Sequence, residues 1–154
     1  MKNTKKQLLR QQTNTKLNQL MLVGEVTPPR KGWLNTIRTA LNMSLRQLAN
    51  KLQISPQSLN EIETREANGT VTLRTLREVA EAMDLQLVYG FIPKDGSLDA
   101  LIERKARALA EQIVMRTSNT MSLEDQKVSY GRLKKAIKER TESIKDEMPK
   151  ALWD

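Results

Sequence analysis

Pro56, Gln57, Asn60 and Glu61 lie on one side of a stretch whose other side holds Leu59 and Ile62. Their chemistry is hydrogen bonding to flat, edge-on partners. The Gln57 amide donates and accepts at once, which matches the major-groove edge of adenine, and Asn60 can do the same. Glu61 can accept from the cytosine amine but is repelled by a nearby phosphate. Pro56 can touch a thymine methyl. Thr64 completes the outward face. Arg46, Gln47, Ser55 and Arg65 flank it with side chains that can donate to phosphate oxygens.

Two short helices must position these groups. Ser44 can cap a helix over 45–52, whose Leu45, Leu48, Ala49 and Leu52 share a face. Residues 53–55 break the phase. Ser55 is a second cap, and Pro56 takes the first helical position, where its missing N–H costs nothing. Ala49 is small where the helices must cross. An inner side that packs and a polar outer side describe a helix-turn-helix with its second helix, up to about residue 65, in a major groove. Trp33 begins a preceding helix whose inner face is Leu34, Ile37 and Leu41. Asn42 follows at a left-handed turn.

Composition agrees. The 154 residues carry 26 Lys and Arg against 18 Asp and Glu, a net +8 that suits a polyanionic partner. There is no cysteine and no histidine, which removes disulfides, thiolate nucleophiles, Cys or His metal sites and imidazole bases. No Gly-rich phosphate loop or nucleophile elbow occurs. The expectation is a non-enzyme with no metal and no cofactor. Without a signal peptide or a membrane-length apolar run, a cytoplasmic location and no membrane partner are expected.

Residues 5–22 read as a basic helix with a thin apolar stripe, either a solvated arm or an arm on phosphate. Residues 23–32, with Pro28, Pro29 and two glycines, read as a linker whose Arg30 and Lys31 can touch phosphate. Trp33 is read as a packing anchor before a base-stacking residue. Residues 66–71 read as a loop. Thr72 caps a helix over about 73–83, lined by Leu73, Leu76, Val79, Ala80 and Met83. Residues 85–92, LQLVYGFI, change to a strand-like period. No clear partner strand exists in the chain, so Leu87, Val88, Tyr89 and Phe91 are expected to pair with the same strand of a second copy. A long helix over 97–117, capped by Ser97, is read with Leu98, Leu101, Ala108, Leu109, Gln112 and Ile113 inward. A break at 118–122 and a short turn over 123–127 follow. The charged helix over 130–147 reads as solvated, and the apolar end at 151–153 docks on something.

Residues 33–87 resemble the phage-repressor helix-turn-helix family, through LRQLA, ISPQSLNEIE and TLRTLREVAEAM. The resemblance implies a lambda-repressor-like core. It also implies an ion pair between Arg38 in the first helix and Glu63 at the end of the recognition helix. The sequence departs from that family at Gln53, where glycine is usual, and at Leu45, where a phosphate-binding glutamine is common. Repressor-antitoxins of the HipB kind carry a similar strand after this domain. Across nearly all its length, from GWLNTIRTALNMSLRQLANKL to the terminal LWD, the chain is similar to the mobile mystery protein A family. That family implies a repressor encoded on mobile elements beside a Fic-domain partner. A Fic-inhibitory motif is not matched, since Thr120 to Glu124 has the spacing but Asp125 follows.

The reading is therefore an all-α fold with one short β-strand. It has an N-terminal helical arm and linker (1–32), a helix-turn-helix core (33–84), a strand at the dimer contact (85–93) and a C-terminal helical extension (94–154). The expected function is an autoregulating, dimeric repressor on double-stranded DNA. The alternative is an antitoxin that restrains a Fic-domain toxin.

Overall fold

The computed structural model describes residues 2–123 and 129–154. Seven helices follow in order: α1 (Lys2–Asn18), α2 (Trp33–Ala40), α3 (Leu45–Leu52), α4 (Pro56–Asn68), α5 (Leu73–Ala82), α6 (Leu98–Leu123) and α7 (Tyr130–Glu147). Short 3-10 turns occupy Val23–Glu25 and Lys150–Trp153. The fold is all-α. Its contacts divide it into a unit of residues 23–90 and a unit of 1–22 with 91–154.

The 23–90 unit holds α2 to α5 around Leu34, Leu48, Ala49, Leu59, Val79 and Met83. Leu48, Ala49 and Leu59 have no exposed surface, so the α3–α4 crossing closes over a methyl-sized side chain. Two expected inner residues lie outside this core. Leu41 caps the end of α2 and is 55% exposed; Leu73 opens α5 and is 41% exposed. Terminal turns reach past the apolar stripe their helices bury. The starts of α3, α4 and α5 are capped: Ser44 accepts from the Gln47 N–H, Ser55 from Ser58 and Thr72 from Thr75. The Gln47 side chain returns a bond to the Ser44 N–H, closing a capping box.

The corner between α3 and α4 is left-handed at Gln53, with φ 55° and ψ 41°. Asn42 after α2 is also left-handed, at φ 53°. A side chain at Gln53 pays about 1 kcal/mol for this conformation, and Gln53 is exposed, so little packing offsets the cost. Gln53→Gly should raise stability by up to about 1 kcal/mol in urea unfolding. A loss of stability would show that the glutamine makes a compensating contact.

Residues 66–68, read as loop, continue α4 to Asn68, and Gly69 ends the helix at φ 76°. The helix former Ala67 and the left-handed glycine place the stop later than a loop reading does. After α5 the chain turns at Asp84 and Leu85 donates back to the Ala80 carbonyl at 2.8 Å. Residues 85–93 then run without regular structure. The strand expected over 85–92 is not formed: no described residue of the chain is in a strand, and an extended segment with no neighbour has no ladder to join.

In the other unit α6 and α7 pack as an antiparallel hairpin over Ile102, Ala106, Ala110 and Ile144, with Leu152 of the last turn. The buried face of α6 is rotated from the expected one, since Ala108 and Gln112 are exposed while Ala106 and Ala110 are fully buried. Small residues let α7 approach closely, so the contact follows the alanines instead of the larger side chains. Of the terminal residues 151–153, Leu152 is buried and Trp153 is exposed. Ser97 caps α6 through the Ala100 N–H. The expected break at 118–122 is absent, and α6 continues to Leu123. Thr117 and Thr120 return their hydroxyls to the carbonyls of Ile113 and Arg116 in the preceding turn, so these polar side chains are satisfied within the helix. The turn expected over 123–127, and the end of the Thr120 to Glu124 spacing, fall outside the described residues. Asn14 of α1 accepts from the Leu98 N–H and donates to Asp99, and Arg10 pairs with Asp99.

Candidate nucleic-acid interface

Helix α4 is held by its inner side and one end. Leu59 and Glu63 are buried and Ile62 half-buried, whereas Pro56, Gln57, Asn60, Glu61, Thr64 and Arg65 are all exposed. The four expected base-reading residues therefore share one open face. At the helix start the N–H groups of Ser55 and Gln57 are unpaired among the described residues. Such free donors favour an anion.

The flanking donors differ in what they have left to give. The Ser55 hydroxyl accepts from the Ser58 N–H and shares a bond with the Ser58 hydroxyl, so it is already committed to the cap. Gln47 uses its Oε1 in the capping box, which leaves its NH2 to donate. Arg46 is exposed and unpaired among the described residues. Arg65 lies 3.9 Å from Glu61, with both side chains more than half exposed. An exposed pair of this kind is worth little and yields to a better partner. Thr64 donates to the Asn60 carbonyl and so spends its hydroxyl on the helix.

The far end of α4 is fastened by Arg38 and Glu63. Arg38 Nε donates to Glu63 Oε1 at 2.6 Å and Nη2 to Oε2 at 3.1 Å, a bidentate pair. Asn35 Nδ2 adds a bond to Oε2 at 2.9 Å, and Arg38 Nη1 reaches the Met43 carbonyl at 3.0 Å. Hydrogen bonding to Glu63 outweighs the desolvation of burial and raises the Arg38 pKa, so the guanidinium stays charged. One ion pair thus ties α2, the turn after it and α4.

A second fastening is missed by a reading of the sequence. Glu66, on the last turn of α4, accepts from the N–H of Trp33 at 2.9 Å and of Leu34 at 2.8 Å. It caps α2 from a different helix, and its charge meets the positive end of that helix. Gly32 makes this possible. Its φ of 84° and ψ of 163° fall in a region open essentially to glycine, and a Cβ there would lie 2.8 Å from Glu66 Oε2. A glycine just before a helix that lacks a side-chain cap is the available signal.

The expected dimer residues are placed along the irregular segment. Val88, Tyr89 and Phe91 are 66%, 55% and 79% exposed. Leu87 is half-buried and lines an apolar groove of about 470 Å³ with Val26, Trp33, Leu76 and Met83. Trp33 stands on the wall of this groove and is 42% exposed. The Arg77 guanidinium stands 5.6 Å from the Tyr89 ring centre, a cation–π contact.

Residues 34–89 match the helix-turn-helix family of the lambda-repressor type. The chain thus carries a DNA-binding domain of the kind found in transcription regulators. No curated protein matches the chain. No solved structure matches it either. Among the described residues no helix is long and apolar enough to cross a membrane.

Proposed function

We propose that the protein is a sequence-specific transcriptional repressor that binds DNA as a dimer, with α4 reading bases in the major groove. The observation that carries this reading is the division of α4 into a locked inner side and an open polar side. Gln57 and Asn60 would read adenine, Glu61 cytosine and Pro56 a thymine methyl. Arg46, Gln47 and Arg65 would position the helix on phosphates, with Ser55 offering its backbone N–H instead of its hydroxyl. Gln57→Ala should cost about 1–3 kcal/mol on the specific site and little on random DNA. Equal losses on both would remove Gln57 from base reading.

The likeness to mobile mystery protein A adds an operon that the protein itself controls, carried on a mobile element, and a Fic-domain partner. One observation favours a protein partner: an open groove of about 620 Å³ between α6 and α7, floored by Ile113, Val114, Leu133 and Ala136. In this second reading the helical unit restrains the toxin while the helix-turn-helix holds DNA. Co-elution of the two purified proteins, lost on Leu133→Asp, supports it. Separate elution removes it.

A further inference from the structure

The positive charge of the chain is not where the base-reading helix is. Residues 23–90 hold eight Lys and Arg against seven Asp and Glu; the remainder holds eighteen against eleven. Within the helix-turn-helix unit half of the cations have a neighbour in the fold, although only the Arg38 pair is buried. Arg38 is bound to Glu63, Arg65 lies near Glu61, Arg74 pairs with Glu78, and Arg77 stands over Tyr89. Arg30, Lys31, Arg46 and Lys51 remain. Binding with the usual steep salt dependence neutralises roughly 6–10 phosphates, so a dimer that drew only on these and on Arg65 would have to engage most of them.

The other unit concentrates further charge in two places. Helix α1 carries Lys2, Lys5, Lys6, Arg10 and Lys16 and no acidic residue. The first half of α7 carries Arg132, Lys134, Lys135, Lys138 and Arg140 against Glu139 alone, while its last two turns carry Glu142, Asp146 and Glu147 against Lys145. This order opposes the helix dipole, which favours acids at the start and bases at the end. It therefore costs helix stability. Lys134 and Lys138 are one turn apart on the exposed side, and neither has a carboxylate partner among the described residues. Lys5, Lys6 and Lys16 are exposed and unpaired in the same way. Lys135 lies 3.9 Å from Glu139, an exposed pair that yields readily. On α6, Arg104 and Arg107 are paired with Asp95 and Glu111, and Arg116 is exposed with no carboxylate partner among the described residues.

We propose that the lysine faces of α1 and of the first half of α7 bind DNA phosphates, and that they supply most of the salt-dependent affinity while α4 supplies the sequence preference. The inference rests on the DNA-binding reading of the helix-turn-helix. An anionic membrane is the competing surface, but α1 has only Leu8, Leu9 and Leu17 as apolar anchors.

The test is fluorescence anisotropy of the full chain on a random duplex of about 30 bp, between about 50 and 300 mM KCl. Lys134→Gln/Lys135→Gln/Lys138→Gln should flatten the slope of log K against log salt by about 2–3 for each copy bound, and Lys5→Gln/Lys6→Gln by about 2 for each copy. At the low-salt end the triple variant should bind more than about tenfold more weakly. Unchanged melting temperatures would show that folding is not the cause. Wild-type slopes in both variants overturn the proposal. If Gln57→Ala still weakens binding to the specific site, the base-reading account stands without it. Loss of binding to phosphatidylserine vesicles with an unchanged DNA slope assigns the lysines to a membrane and also overturns it. A wild type that binds no DNA overturns both readings.

Discussion

Glu63→Ala should lower the free energy of unfolding by about 3–5 kcal/mol, because it leaves the Arg38 guanidinium nearly buried without its counter-ion. Only 13% of the Arg38 side chain and 4% of the Glu63 side chain are exposed, so water cannot replace the lost carboxylate. The Asn35 amide loses its acceptor at the same time. The loss is amplified because the pair joins three parts of the unit: α2, the turn carrying Met43 and the end of α4. Glu63→Gln keeps an acceptor without the charge and should fall between. Urea unfolding measures all three proteins. A loss below about 1 kcal/mol in Glu63→Ala would mean that Arg38 swings out to solvent at no cost.

A second large effect is expected on assembly. The free protein should be a dimer at micromolar concentration in sedimentation equilibrium, with residues 85–92 of two copies paired antiparallel. Val88, Tyr89 and Phe91 are exposed, and this segment has no ladder among the described residues. An apolar edge of this kind invites pairing. In an antiparallel ladder alternate residues give their N–H to the partner, so Val88→Pro and Tyr89→Pro remove donors on opposite edges. One of the two should dissociate at least about 100-fold more readily than wild type. Tyr89→Pro also removes the Arg77 contact, which makes Val88→Pro the cleaner probe. A monomeric wild type, or two proline variants that both dimerise, would take the contact away from this segment. The paired arrangement would hold two α4 helices roughly 34 Å apart, one turn of DNA.

The helix-turn-helix was legible in the chain because its signals are local. Ser44, Ser55, Pro56 and Thr72 mark helix starts by a chemistry that needs no tertiary information. The apolar faces of α3, α4 and α5 follow one helical period, and the left-handed corner at Gln53 follows from the alignment with a glycine. What was hidden depended on distance. Glu66 caps α2 from more than thirty residues away, so nothing near Trp33 announces it. The inner face of α6 is hard to read from the sequence because its closest packing uses Ala106 and Ala110, which weigh little in an apolar pattern. Residues 85–92 carry strand chemistry, but a strand needs a neighbour, and local composition cannot provide one. The base-reading face was legible as a set of residues. Ser55 is legible both as a cap and as a phosphate donor, and the structure shows its hydroxyl committed to the cap, while the Thr64 hydroxyl turns back to the Asn60 carbonyl.

The most direct test of the account is nuclease protection on the DNA upstream of the gene that encodes the protein. The account predicts one protected segment with two related half-sites about one helical turn apart. It also predicts that Gln57→Ala loses this protection while still binding random duplex at low salt. Protection of no defined segment, or the same footprint from Gln57→Ala as from wild type, would contradict base reading by α4.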